Sequence, residues 1–77
     1  MDFLMASFPK SDTEEIRVEL REVKRQSLVD IRVYTMIPGL GEKVPTGQGF
    51  SFGISRLKDL KTALLAAERF LEEKQKV

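Results

Sequence analysis

The chain has 77 residues, 42% hydrophobic and 32% charged, with no Cys, His or Trp. That balance belongs to one small folded domain. The missing residue types exclude a disulfide framework, a Cys/His zinc site, and catalysis by a Cys nucleophile, a His base or a Ser-His-Asp triad.

Net charge is +1, unevenly spread. One basic residue faces three acidic ones over 1–14, six face five over 15–54, and six face four over 55–77. A nucleic-acid face therefore has to come from geometric segregation of charge, not from bulk excess. A core this small usually needs a staple, and with no disulfide or metal the remaining one is self-association.

Residues 1–14 carry Pro9, Ser11, Asp12 and Thr13 with no apolar period, which predicts a flexible N-terminal arm ahead of a domain over 15–77. Asp2 and the breaks at Ser7 and Pro9 do not fit a signal peptide, and no apolar run is long enough to span a membrane. No membrane partner is expected. The expected location is the cytoplasm or nucleoid of a bacterium, or the nucleus of a eukaryote.

Residues 15–23 alternate, with Ile16, Val18 and Leu20 opposite Arg17, Glu19 and Arg21, as a half-buried strand does. The pattern slips at Glu22 and Val23, where a bulge or turn is expected, and residues 24–27 read as a polar hairpin connection. Residues 28–36, LVDIRVYTM, form the strongest strand signal. Val29, Ile31 and Val33 share one face; Asp30, Arg32 and Tyr34 share the other. The Gly/Pro-rich stretch 38–49 allows a short third strand around 42–44, with Pro45 confining it to an edge or ending it. Phe50, Phe52 and Ile54 alternate as a fourth strand.

From Ser55, read as an N-cap, the period becomes helical over 56–77. Leu57, Leu60, Leu64, Ala67 and Leu71 form a heptad stripe widened by Ala63 and Phe70. Lys74 and Lys76 suit the negative end of the helix dipole. The predicted fold is α+β, a four-stranded antiparallel meander followed by one long C-terminal helix. At 22 residues, about 33 Å, the helix outruns such a sheet. Leu60, Leu64, Ala67, Phe70 and Leu71 are accordingly expected at a homodimer interface.

The glycine loop does not fit a phosphate-binding Walker motif, because Glu42 precedes Lys43 and a strand, not a helix, follows. No cofactor is expected. The polar sheet face is the functional candidate. Arg17, Arg21, Arg32 and Tyr34 point away from the apolar faces of their strands, with Lys24 and Arg25 in the adjoining turn. Cations and a ring on a sheet face suit single-stranded nucleic acid; the alternative is a solvated face whose charges cancel through Glu19, Glu22 and Asp30.

IRVELREVKRQSLVDIRVY, the Gly/Pro-rich loop and GFSFGISRLKDLKTAL together resemble the positive cofactor 4 family of transcriptional coactivators over about residues 15–66. The specific pieces are L-V-D-I-R-x-Y and the run Pro45 to Phe52. The resemblance implies a curved four-stranded sheet, a helix-packed homodimer, single-stranded or melted-duplex DNA as ligand (with RNA as an alternative), and no catalysis. Arg21, Lys24 and Arg32 match DNA-facing basic positions, and Tyr34 matches the family pattern. The chain departs from that pattern at Val23 and Thr35, where stacking aromatics are usual, and at Gln26, Val44, Gly47 and Gln48, where basic residues are usual.

The expected DNA-contacting set is Arg17, Arg21, Lys24, Arg25, Arg32 and Lys43 on phosphates, Tyr34 for stacking and Gln48 for uncharged hydrogen bonds. The expected role is non-enzymatic, in transcription regulation or in DNA repair and replication. The alternative is a dimeric interaction module for transcription-machinery proteins with little nucleic-acid binding.

Overall fold

A computed structural model describes residues 2–75; the expectation for Lys76 lies outside the described residues. Four strands, β1 (Asp2–Pro9), β2 (Glu14–Val23), β3 (Gln26–Met36) and β4 (Lys43–Gly53), form an open antiparallel sheet in the order β1-β2-β3-β4. A 3-10 turn (Ile54–Arg56) leads into α1 (Leu57–Gln75). No described helix is long and apolar enough to cross a membrane.

The four predicted strands become four real ones, but not the same four. Residues 2–9, expected in an arm, pair with β2 from Asp2↔Arg21 to Pro9↔Glu15, with Met5 skipped as a bulge. The pairing sets Phe3, Ala6 and Phe8 opposite Leu20, Val18 and Ile16, so the edge strand extends the apolar face of β2. The two short strands expected around 42–44 and 49–54 are one strand. Pro45 is accommodated because β4 is an edge, where a missing N–H can face outward. The slip expected at Glu22 and Val23 is not a bulge: both residues pair, with Ser27 and Gln26, and the turn is Lys24–Arg25.

Ser55 is not an N-cap. It lies inside the 3-10 turn, whose N-cap residue Gly53 makes no side-chain cap bond.

Register sorts the side chains onto two faces. Ile16, Val18 and Leu20 lie opposite Val33, Ile31 and Val29, and Phe50 and Phe52 continue the row on β4. This apolar face meets the first turns of α1. A groove of about 420 Å³ remains between them, lined by Val18, Val29, Ile31, Leu60, Leu64 and Leu65 among others.

Beyond those turns the helix leaves the sheet. Leu64, Phe70 and Leu71 are 57–62% exposed, and Ala67 is exposed too. Among the described residues the buried hydrophobic core is Val29, Val33 and Tyr34. The Cα radius of gyration is 15.3 Å, against about 11.5 Å for a compact domain of this length.

Candidate nucleic-acid interface

The opposite sheet face is a lattice of charge. On β2, Glu15, Arg17, Glu19 and Arg21 alternate with the apolar row; on β3, Asp30, Arg32 and Tyr34 do the same. Register then sets Arg17 opposite Arg32 and Glu19 opposite Asp30. Like charges so placed repel, and each arginine is neutralised by the carboxylate two residues before it on its own strand. Arg17 Nε donates to Glu15 Oε2 at 2.8 Å. Arg32 Nε and Nη2 donate to the two oxygens of Asp30 at 3.1 and 3.0 Å.

Asp30 is the anchor of this face. It is fully buried, and it accepts hydrogen bonds from Arg32 and from the Ser51 hydroxyl on β4. Burial by itself pushes its carboxyl pKa up. The Arg32 and Ser51 hydrogen bonds, helped by the Arg32 and Arg21 charges, outweigh that and hold the pKa below the ordinary aspartate value. Arg32 spends a third donor, Nη1, on Thr46 O at 2.9 Å. That contact ties β3 to the bulge of β4, where residues 46–48 face only Val33. Gly49, at φ +149°, closes the bulge against Ile31 and Arg32.

Tyr34, expected to offer a stacking ring, is covered in this structure. The residue is 8% exposed. Its hydroxyl donates to Glu19 Oε1 at 2.6 Å, and Arg17 Cζ lies 4.1 Å from the ring centroid. The Glu19 bond and burial together raise the phenol pKa.

The remaining candidates divide into held and unheld. Lys43 is held at 3.3 Å by Glu15, whose pKa is lowered first by its Arg17 hydrogen bond. Arg21 is different. Asp2, Glu19 and Asp30 lie 3.9–4.0 Å away, near enough to attract, but its Nε has no hydrogen-bond partner among the described residues. Lys24 and Arg25 occupy the exposed β2–β3 turn and form no ion pair among the described residues. Gln48 is exposed on the bulge. Lys24 and Arg25 therefore form the free cationic end of the face, Arg21 beside them is attracted to carboxylates without an Nε hydrogen bond, and Arg17, Arg32 and Lys43 are its hydrogen-bonded interior.

The sequence reading held charge cancellation through Glu19, Glu22 and Asp30 as its alternative, and missed Glu15, Ser51, Thr46 and Gly49 as builders of the site. A signal for the ion pairs is present in E-x-R (15–17) and D-x-R (30–32), since two-residue spacing puts partners on one strand face.

No curated protein sequence matches the chain. Two crystal forms of a PC4 homologue from Burkholderia pseudomallei K96243 resemble it. One is 33% identical with a TM-score of 0.77, covering 87% of this chain and 89% of the other. The second is 31% identical with a TM-score of 0.78, covering 88% and 98%. A bacteriophage T5 homologue of the eukaryotic transcription coactivator PC4, implicated in recombination-dependent DNA replication, is 25% identical with a TM-score of 0.60, covering 99% and 88%. MoSub1, solved as a DNA complex, shares the fold at 19% identity and a TM-score of 0.59, covering 90% and 83%. Residues 10–63 match the family described as Transcriptional Coactivator p15 (PC4). That span holds β2, β3, β4 and the start of α1, the elements that build the charged face, and the chain belongs to the transcriptional coactivator p15 (PC4) family.

Proposed function

We propose that this protein binds single-stranded DNA as a homodimer, without catalysis and with little sequence selectivity, and serves transcription or DNA repair and replication where DNA is housed. The observation that carries the reading is the state of Arg21. Its Nε has no hydrogen-bond partner among the described residues, and what holds it is three long ion pairs of 3.9–4.0 Å to Asp2, Glu19 and Asp30, which a phosphate can replace. A buried donor left unmet in a native fold calls for an explanation, and a ligand oxygen supplies one. Lys24 and Arg25 stand beside it uncommitted. Family membership and the DNA-bound MoSub1 support the same reading, as does the T5 homologue's link to DNA replication.

The test is fluorescence anisotropy of a labelled 20-nucleotide strand at two salt concentrations, with duplex as competitor. Saturation at micromolar protein, weakening with salt and poor competition by duplex are expected. Absence of binding at low salt would overturn the reading and favour a protein-interaction module.

Lys24 offers a sharper check, because it is held at φ 52°, a region where a lysine is strained by about 1 kcal/mol or more. Lys24→Gly is expected to raise Tm by a few degrees while weakening single-strand binding several-fold. A lower Tm would mean that the lysine stabilises the turn.

The exposed stripe supports the dimer. Leu64, Ala67, Phe70 and Leu71 with Leu60 are proposed to pack on the same stripe of a second copy, closing the open groove over the apolar sheet face. Leu71 is 57% exposed, so Leu71→Asp is expected to leave the fold intact and halve the native mass measured by light scattering. A variant that stays at twice 8.8 kDa would remove the helix from the interface.

A further inference from the structure

We propose that Arg17 is the base-stacking platform of this protein, its guanidinium plane standing where an aromatic ring would serve. This inference rests on the single-strand reading above and assigns Arg17 a role other than phosphate capture. Nucleobases stack on guanidinium planes as well as on rings.

The geometry is that of a guanidinium backed by a ring and held from one side. Tyr34 lies beneath Arg17, with Cζ 4.1 Å from the ring centroid, so the tyrosine serves the arginine and not the base. Glu15 grips Nε at 2.8 Å and fixes the direction of the side chain. Glu15 is itself steadied by Lys43, and Tyr34 by Glu19. About 30% of the Arg17 side chain stays accessible while the tyrosine below is buried, so Arg17 is the solvent-side member of the pair.

Two further facts favour stacking over charge. The Glu15 partner, hydrogen-bonded at 2.8 Å, already neutralises Arg17 locally, which makes it a poor phosphate ligand beside Lys24 and Arg25 and beside Arg21, whose carboxylates lie at 3.9–4.0 Å. And no other ring on this face is open: Phe3, Phe8, Phe50 and Phe52 share the opposite, apolar face through their pairing with Leu20, Ile16, Ile31 and Val29.

The experiment compares two labelled 20-mers, oligo-dT and an abasic strand with the same phosphates, for wild type and for Arg17→Lys. Lysine keeps the charge and loses the plane. The ratio of oligo-dT to abasic affinity is expected to fall about ten-fold in Arg17→Lys, the scale of one lost stack. The salt slope on oligo-dT should stay unchanged, because the number of neutralised phosphates is the same.

An unchanged ratio would overturn the proposal, and so would an equal loss on both strands. Arg17→Gln provides the second variant: loss confined to oligo-dT supports stacking, whereas a salt slope shallower by about 0.7 assigns a phosphate contact and overturns it. Wild-type protein that binds neither strand would defeat the single-strand reading itself, and this proposal with it. Wild-type binding with an unaltered Arg17→Lys ratio defeats the stack alone.

Discussion

Asp30→Ala is expected to lower Tm by roughly 15 °C, measured at fixed protein concentration, the scale of a 3 kcal/mol loss in a domain of this size. The carboxylate is fully buried and holds Arg32, Ser51 and, at longer range, Arg21. Removing it leaves Arg32 without its carboxylate partner, while Arg21 keeps Asp2 and Glu19, and removing one partner of a buried pair is the expensive way to break it. A small domain has a total stability of only about 4–12 kcal/mol at typical per-residue values, so the variant stands near the limit of folding. Asp30→Asn keeps the shape and separates the charge from the volume; its loss should be smaller. A Tm within a few degrees of wild type for Asp30→Ala would mean that the network is decorative and that apolar packing alone holds β3.

The same residue sets the acid response. Its pKa is lowered in the folded state, so its contribution is complete above the unfolded value of about 3.9 and disappears as pH falls through the lower folded value. Glu15 is shifted in the same direction. Wild type should therefore lose stability more steeply below about pH 4 than Asp30→Asn does, in thermal melts across that range. Parallel curves would locate acid sensitivity elsewhere.

The periodicity of residues 15–36 made the central hairpin and both of its faces legible, because alternation of β-branched and charged residues has one structural solution. The helix was legible for a similar reason. Residues 2–9 were not. Their apolar positions Phe3, Ala6 and Phe8 change spacing at the Met5 bulge, which erases the period that identifies a strand. β4 was split in the reading because Pro45, Gly47 and Gly49 punctuate it, although an edge strand carrying a bulge tolerates all three. The charges on the polar face were visible in the sequence, but only part of their pairing was. The E-x-R and D-x-R spacings signal the two strand-local pairs, whereas the contacts that depend on cross-strand register, Lys43 to Glu15, Ser51 to Asp30 and Arg17 over Tyr34, carry no such signal. A ring that looked open in the sequence is buried because its neighbour on β2 is long enough to lie on it.

Gly49 is the residue whose side chain the fold forbids, and Gly49→Ala is expected to lower Tm by about 10–20 °C, corresponding to about 2–4 kcal/mol. A β-carbon there would lie 2.4 Å from Ile31 O and 2.8 Å from Arg32 Cα. Both are backbone atoms of the central strand, so no rotamer change relieves the contact. The φ of +149° adds conformational strain for any L side chain. Relief requires β4 to move away from β3, which strains the Arg32 Nη1 bond to Thr46 O, the Thr46 hydroxyl bond to Val33 O and the Ser51 bond to Asp30. The defect thus reaches the Asp30 network through the backbone. Gly49→Ala and Ser51→Ala should consequently combine to less than the sum of their separate losses, because the first already loosens what the second removes. Gly47→Ala is the control: an added β-carbon there meets nothing within 4 Å, so Tm should change little. Urea melts of the four variants decide the matter. Equal stability of the two alanine variants at 47 and 49 would show that β4 yields at the bulge without strain, and additive losses at 49 and 51 would show that the bulge and the buried carboxylate are independent.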